Sequence, residues 1–368
     1  MLAPEYRSWL EDQGASLSAA LLSWFAAHAR DLPWRHERTP YRVWVAEIML
    51  QQTQVDTVVA YYQRFMERFP TLEALAQAPL EEVLRLWEGL GYYRRAQALH
   101  QAAQLVLERH HGELPAAPQA LRRLPGIGAY TAGAVASLAF GIAVPAVDGN
   151  VRRVVARLLA MPELDSATAE EAVRLLLPAD RPGAFNEALM ELGALICRPR
   201  APQCSLCPWE PFCLGRASGT PEAFPQARQT RTLPHYDVVA AVTLREDGRV
   251  LVAQRPPQAM LGGLWEFPGG KCEAGETLPA ALERELREEL TITIAVGERL
   301  IVVPHAYTHF RITLHAFLCR LLAGEPRCLA CADWRWVRLE ELASLPMAVT
   351  DRRIAHALIA RQGSPSAS

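Results

Sequence analysis

The sequence is almost without lysine. Lys271 is the only one among 38 basic residues, so a mechanism that needs a lysine nucleophile is closed to every residue before it. Excess charge is lacking too: 38 Lys+Arg stand against 40 Asp+Glu, a net charge of −2, with 21% charged residues. That balance excludes a disordered polyelectrolyte and leaves any nucleic-acid contact to local patches. There is no run of about 18 uncharged apolar residues, so no membrane span is expected. The opening MLAPEYRSWLEDQ carries Glu5, Glu11 and Asp12 where a signal peptide needs a basic flank. A soluble, cytoplasmic protein is expected.

What is present suits two domains: 368 residues, half of them hydrophobic. From Ser16 to about Leu195, segments such as LSAALLSWFAAHA, PLEEVLRLWEGL and RRAQALHQAAQLVLERH place apolar residues at helical spacing, with Pro and Gly between them. This predicts an all-α domain over 1–213, closed by a cysteine cluster. Residues 214–234 hold three Pro, two Gly and three Arg without periodicity and read as a linker. Over 235–362, DVVAAVTLRE, GRVLVAQRP, LIVVPHAYTHFRITLHAFLCRLL and DWRWVRLEEL read as strands around one strong helix, LPAALERELREELT, an α+β domain.

The cysteines follow Cys197-x6-Cys204-x2-Cys207-x5-Cys213. Four thiols so close together suit one soft metal centre, iron–sulfur or zinc, and a cytosolic setting disfavours disulfides. The irregular spacing is not a pair of CxxC knuckles, which favours an iron–sulfur cluster. Cys328-x2-Cys331 has no second pair beside it and reads as packing cysteines. Leu124-Pro125-Gly126-Ile127-Gly128 lies between helical runs, where two glycines permit a tight turn with amides free for a phosphate. Asp148, before VRRVVARLLA, suits a helix N-cap. Glu47 shares a helical face with Val43, Leu50 and Gln51, an apolar setting that would keep a carboxyl protonated as a general acid.

The cysteine loop resembles the [4Fe–4S] loop of the endonuclease III-like DNA glycosylases, and LPGIGAYTAGAV with Val147-Asp148-Gly149-Asn150 resembles their helix-hairpin-helix motif. Further, PWR with PYRVWVAEIMLQQTQV, GLGYYRRA and AFNEALMELGA is similar to the adenine DNA glycosylases of the MutY type, over nearly the whole first domain. The resemblance implies a monofunctional enzyme, because Tyr130 stands where bifunctional relatives carry lysine. It implies that Glu47 protonates adenine N7 and Asp148 steadies the oxocarbenium-like sugar. Tyr130 would position Asp148, and Asn150 would bond near the sugar and water. Trp34, Arg35 and Glu187 would line the pocket of the extruded base, and Gln52 and Tyr92 would press into the stack. Gly126 and Gly128 would hold a phosphate, and Cys197, Cys204, Cys207 and Cys213 the [4Fe–4S] cluster. The implied partner is double-stranded DNA with adenine opposite 8-oxoguanine or guanine, bound by a monomer in the cytoplasm at the bacterial nucleoid.

Gly270-x5-Glu276-x7-Arg284-Glu285-Leu286-x-Glu288-Glu289 resembles a Nudix box in which Thr291 replaces the usual final glycine. Glu285, Glu288 and Glu289 share one helical face, a pattern suited to Mg²⁺ on a diphosphate. In adenine DNA glycosylases this MutT-like domain normally reads 8-oxoguanine, which the resemblance places at Tyr307, Thr308 and His309, with nucleotide hydrolysis left open.

Overall fold

The structure, a computed structural model, describes residues 1–226 and 232–363. Part of the expected linker, with Arg228 and Arg231, and the residues after Gly363 lie outside them. Two compact units form: Met1–Gln77 with Ala98–Gln229, and Ala78–Gln97 with Thr230–Ser368.

The first unit is helical. Its opening helix, Pro4–His28, starts well before Ser16 and runs through Gly14, where a Cβ would lie 3.4 Å from Leu175 O. Leu10, Leu17 and Leu21 point inward with Val155, Phe185, Leu189 and Trp209, all fully buried. The Trp209 indole comes from the cysteine loop, and its Nε1 donates to Leu17 O at 2.8 Å, which binds that loop to the core. The hairpin turns at Gly126, whose φ of +76° favours glycine. Gly128 then caps the helix Ala129–Phe140. Residues 214–226 are folded rather than loose. Leu214–Ala217 is helical, Gly215 lies against the Arg157 carbonyl, and Phe224 O accepts from Arg157 Nε at 3.0 Å.

In the second unit, β1 (His235–Leu244) runs parallel to β5 (Arg311–Ala323) from His235↔Arg311 to Leu244↔Arg320. On its other side β1 meets β2 (Val250–Gln254), which pairs in turn with β3 (Trp265–Glu266) and β6 (Asp333–Val337). The long run LIVVPHAYTHFRITLHAFLCRLL, expected to be strand, forms most of a hairpin of β4 (Thr293–Ala306) and β5, with the turn at 307–310. Helix Leu278–Leu290 covers one sheet face through Leu282, Leu286 and Leu290. A second helix, Val349–Gly363, unread from the sequence, contributes Ile354, Ala355 and Leu358 to a separate core. Cys328 and Cys331 are joined as a disulfide on a half-exposed loop, not packed apart in a core as expected.

Helical periodicity assigns residues 78–97 to the first domain, yet they pack within the second unit. Glu81 accepts from Trp265 Nε1 at 3.0 Å, and Glu88 from Arg352 at 2.5 and 2.8 Å. A helix such as Leu80–Leu86 has an apolar stripe that does not say which core it will join. No described helix is long and apolar enough to cross a membrane.

Candidate active site

A cleft of about 150 Å³ in the first unit is lined by Trp34, Arg35, Glu47, Tyr130, Asp148, Asn150 and Glu187, with Arg30, Met190 and Glu191 beside them. Sequence distance is closed by four elements. Glu47 comes from helix Pro40–Leu50, which Thr39 starts by accepting from Arg42 N. Tyr130 opens helix Ala129–Phe140, Asp148 caps helix Gly149–Leu158, and Glu187 lies in helix Pro182–Leu195. The last two helices approach closely because Gly193 has no side chain: a Cβ there would sit 2.7 Å from Asn150 Cβ.

Glu47 is 5% exposed, and its Oε2 accepts from the Tyr130 hydroxyl at 2.7 Å. Burial pushes the Glu47 carboxyl up to about 7, the Tyr130 bond pulls it partly back, and the charges of Glu187 and Asp148 add to the rise. The bond to Glu47 differs from the expected pairing of Tyr130 with Asp148. Instead Asp148 Oδ1 accepts from Val151 N at 2.7 Å and Oδ2 from Asn150 Nδ2 at 3.1 Å. Burial raises the Asp148 carboxyl too, but these donors and Arg153 oppose the rise. Two carboxyls thus face one cleft in contrasting settings, one nearly bare and one wrapped in donors at a helix N-terminus. The first holds a proton more readily; the second suits negative charge.

Around them lies an ion network that sequence reading captured only in part. Glu187 accepts from Arg35 Nε at 2.7 Å and from Arg38 Nη2 at 2.8 Å. Glu191, one turn on, accepts from Arg30 Nε and Nη2 at 3.0 and 2.8 Å and from Arg35 at 3.3 Å. Burial opposes a charge on Glu191, but the Arg30 and Arg35 bonds outweigh it and hold the carboxyl at about 2. Trp34 stands edge-on to Tyr62, with ring centroids 5.4 Å apart. The i, i+4 spacing of Glu187 and Glu191 was the available signal for the missed partner.

Helix Gly149–Leu158 also reaches the cysteine loop. Arg153 donates to Asn150 Oδ1, Gly193 O and Cys197 O, each at 2.9 Å. One turn on, Arg157 donates to Arg198 O at 2.6 Å and approaches Cys197 Sγ at 3.4 Å. Cys197, Cys204, Cys207 and Cys213 are unpaired by disulfides and line one small cavity of about 30 Å³. An all-thiol donor set facing a shared space fits an iron–sulfur group. Among the described residues, no three His, Cys, Asp or Glu side chains close on a single metal ion.

The other expected residues lie elsewhere. Gln52 is exposed, with φ +58°, at the turn after the Glu47 helix. Tyr92 and Thr308 belong to the second unit, their hydroxyls 2.9 Å apart, with His309 exposed beside Thr308. Tyr307 is set between His305 and Phe310, at 4.6 and 4.8 Å. The Nudix-box carboxylates do not converge as a metal cage. Arg284 Nη1 lies 3.0 Å from Glu285 and 3.1 Å from Glu288, so a guanidinium already stands between them. Glu289 turns inward, where burial and then Glu285 raise it to about 7.

Two family profiles match the chain: HhH-GPD superfamily base excision DNA repair protein over residues 45–178, and NUDIX domain over residues 239–357. The chain is 36% identical over 397 residues to the adenine DNA glycosylase of Homo sapiens, covering 91% of this chain and 72% of that one. It is 32% identical over 310 residues to the adenine DNA glycosylase of Buchnera aphidicola subsp. Acyrthosiphon pisum, covering 83% and 86%. Among solved structures, a thermostable thymine-DNA glycosylase superposes with a TM-score of 0.53 at 30% identity, over 56% of this chain and 98% of that one. Endonuclease III in a non-covalent DNA complex superposes with a TM-score of 0.51 at 25% identity, over 60% and 99%.

Proposed function

The chain belongs to the adenine DNA glycosylases, base excision repair enzymes of the HhH-GPD superfamily carrying a Nudix domain, and on that premise we propose that it releases adenine mispaired with 8-oxoguanine, and less readily with guanine, from double-stranded DNA. One observation carries the reading: a buried glutamic acid with its carboxyl near 7 opens into the same cleft as a donor-wrapped aspartate. Neither could reach a base inside the stack, so the adenine is extruded into the cleft.

There Glu47 gives its proton to N7, and the bond from C1′ to N9 breaks so that the base leaves neutral. The Asp148 carboxylate stabilises the positive charge left on the sugar, as in glycoside hydrolysis. Water adds at C1′ and gives its proton to the Glu47 carboxylate left by the first step, which restores the acid, with Asn150 beside Asp148. Tyr130 supports the acid rather than the aspartate, in keeping with its bond to Glu47. Trp34, Arg35 and Glu187 enclose the base. Gly126 and Gly128 leave hairpin amides for one phosphate. Gln52 and Tyr92 wedge the duplex, and Tyr307, Thr308 and His309 meet the oxidised purine. Cys197, Cys204, Cys207 and Cys213 would hold a [4Fe–4S] cluster, which when bound cross-links their loop. The enzyme acts as a monomer at the nucleoid.

Single-turnover base release from duplexes with adenine opposite 8-oxoguanine, guanine and thymine tests this. Fastest adenine release opposite 8-oxoguanine supports the reading. Release of thymine from a G:T pair in place of adenine would replace it with the thymine-specific alternative. Equal cleavage of 7-deazaadenine would remove the N7 step.

A further inference from the structure

Residues Ala78–Gln97 form a strap that leaves the catalytic unit's chain, folds into the Nudix unit, and returns. Its attachments are specific. The Glu88 carboxylate takes two hydrogen bonds from Arg352, from Nε at 2.5 Å and Nη2 at 2.8 Å. The two side chains are only 19% and 15% exposed. Arg352 also donates to Leu342 O and Leu345 O, each at 2.6 Å, so its fork is fixed from both sides. Tyr93 hydroxyl donates to Met347 O at 3.3 Å, and Gln97 Nε2 donates to Gly262 O at 2.7 Å.

Between these anchors the strap turns through Gly89, Gly91 and Tyr92, all at positive φ. Arg95 holds the turn, donating to Leu90 O and Gly91 O, with its guanidinium over the Tyr92 ring. The tip thus carries a 45% exposed Tyr92 whose hydroxyl meets Thr308 on the 307–310 turn. A side chain assigned to wedging the duplex and one assigned to meeting the opposite purine are therefore held as one surface.

We propose that Glu88 and Arg352 are positioning residues for lesion specificity: their paired bonds fix the strap so that Tyr92 and the Thr308 turn engage the base opposite adenine together. This rests on the functional reading above and adds to it two residues whose paired bonds lie within the second unit. Glu88 and Arg352 both belong to the second unit, whereas the side chains that line the cleft belong to the first. Their ion pair should therefore act on discrimination between 8-oxoguanine and guanine, not on bond cleavage itself.

The experiment uses the full-length enzyme with Glu88→Gln, Arg352→Met and the double variant. Single-turnover rates are read at subsaturating enzyme on adenine opposite 8-oxoguanine and opposite guanine. Each single change should lower the preference for the 8-oxoguanine pair about tenfold, as for loss of one charge-assisted hydrogen-bonded pair. The guanine-paired rate should hold, and the double variant should lose no more than either single, because the two residues act as a unit. Retained preference in the variants, additive losses, or equal falls on both duplexes would overturn the proposal. A wild-type enzyme without preference for 8-oxoguanine would defeat the functional reading itself, and this inference with it.

Discussion

Tyr130 donates its hydroxyl to Glu47 Oε2 at 2.7 Å, the one side-chain hydrogen bond that lowers the carboxyl against the pull of burial. Burial drives the tyrosine's own ionisation well up, with Glu47 adding to the rise, so at neutral pH it stays a donor. The pair sets how far the acid's proton affinity rises. Without the bond the carboxyl would sit higher still.

Tyr130→Phe should therefore move the alkaline limb of the pH–rate profile upward. In the proposed mechanism the acid form of Glu47 is the active one; the lost bond had favoured the carboxylate, and its removal extends protonation to higher pH. Single-turnover adenine release from pH 5 to 9 measures the limb. A downward shift would contradict the role given to the hydroxyl.

Glu47→Gln should abolish base release, by about 10²–10⁴-fold for a lost general acid, while strengthening the fold at alkaline pH. The sign follows from linkage: the folded carboxyl at about 7 lies above its ordinary value of 4.5, so the folded state holds the proton more tightly. Stability from that proton is full below pH 4.5 and is lost as pH rises through 7. The variant should thus melt higher than wild type at pH 8, by a few kcal/mol in stability, with the gap closing toward pH 5. An equal gap at both pH values would contradict a buried, proton-holding glutamate.

Glu191→Ala should have the opposite pH signature. Held at about 2 by Arg30 and Arg35 against burial, this carboxyl contributes stability that is present above its unfolded value and lost as pH falls toward 2. Removing it leaves the Arg30 guanidinium without its carboxylate and Arg35 with Glu187 alone, a loss of about 3 kcal/mol at pH 7. Urea unfolding of wild type and variant should converge as the pH is lowered from 6 to 3. A constant difference would show that packing, not charge, is lost.

The sequence made some of this legible and hid the rest for physical reasons. The Asp148 cap and the gathering of the four loop thiols around one cavity were readable because both are local in the chain. Glu47 was singled out through the resemblance of its segment PYRVWVAEIMLQQTQV, since an isolated helical glutamate is usually solvated. Arg30, Arg38 and Glu191 were not, because arginines and glutamates in helices are usually solvated. The strap at 78–97 was invisible since helical spacing names no packing partner. The first half of β4 was missed where register shifts between Val296 and Arg299 break strand alternation.

The proposed mechanism gives Asp148 a second duty beside its helix cap, and substitution can separate the two. Its Oδ1 caps the helix by accepting from Val151 N, and its charge faces the cleft. Asparagine caps about as well as aspartate, whereas alanine loses about 1 kcal/mol of cap stability. Asp148→Asn should therefore unfold near the wild-type midpoint yet release adenine slower by about 10²-fold or more, since the sugar cation meets no negative charge. Asp148→Ala should be equally slow and also less stable. Thermal melting alongside single-turnover kinetics distinguishes the two duties. If asparagine kept the rate, the charge would be idle and the residue a helix cap alone. If asparagine cost as much stability as alanine, the cap would depend on the charge rather than on the oxygen.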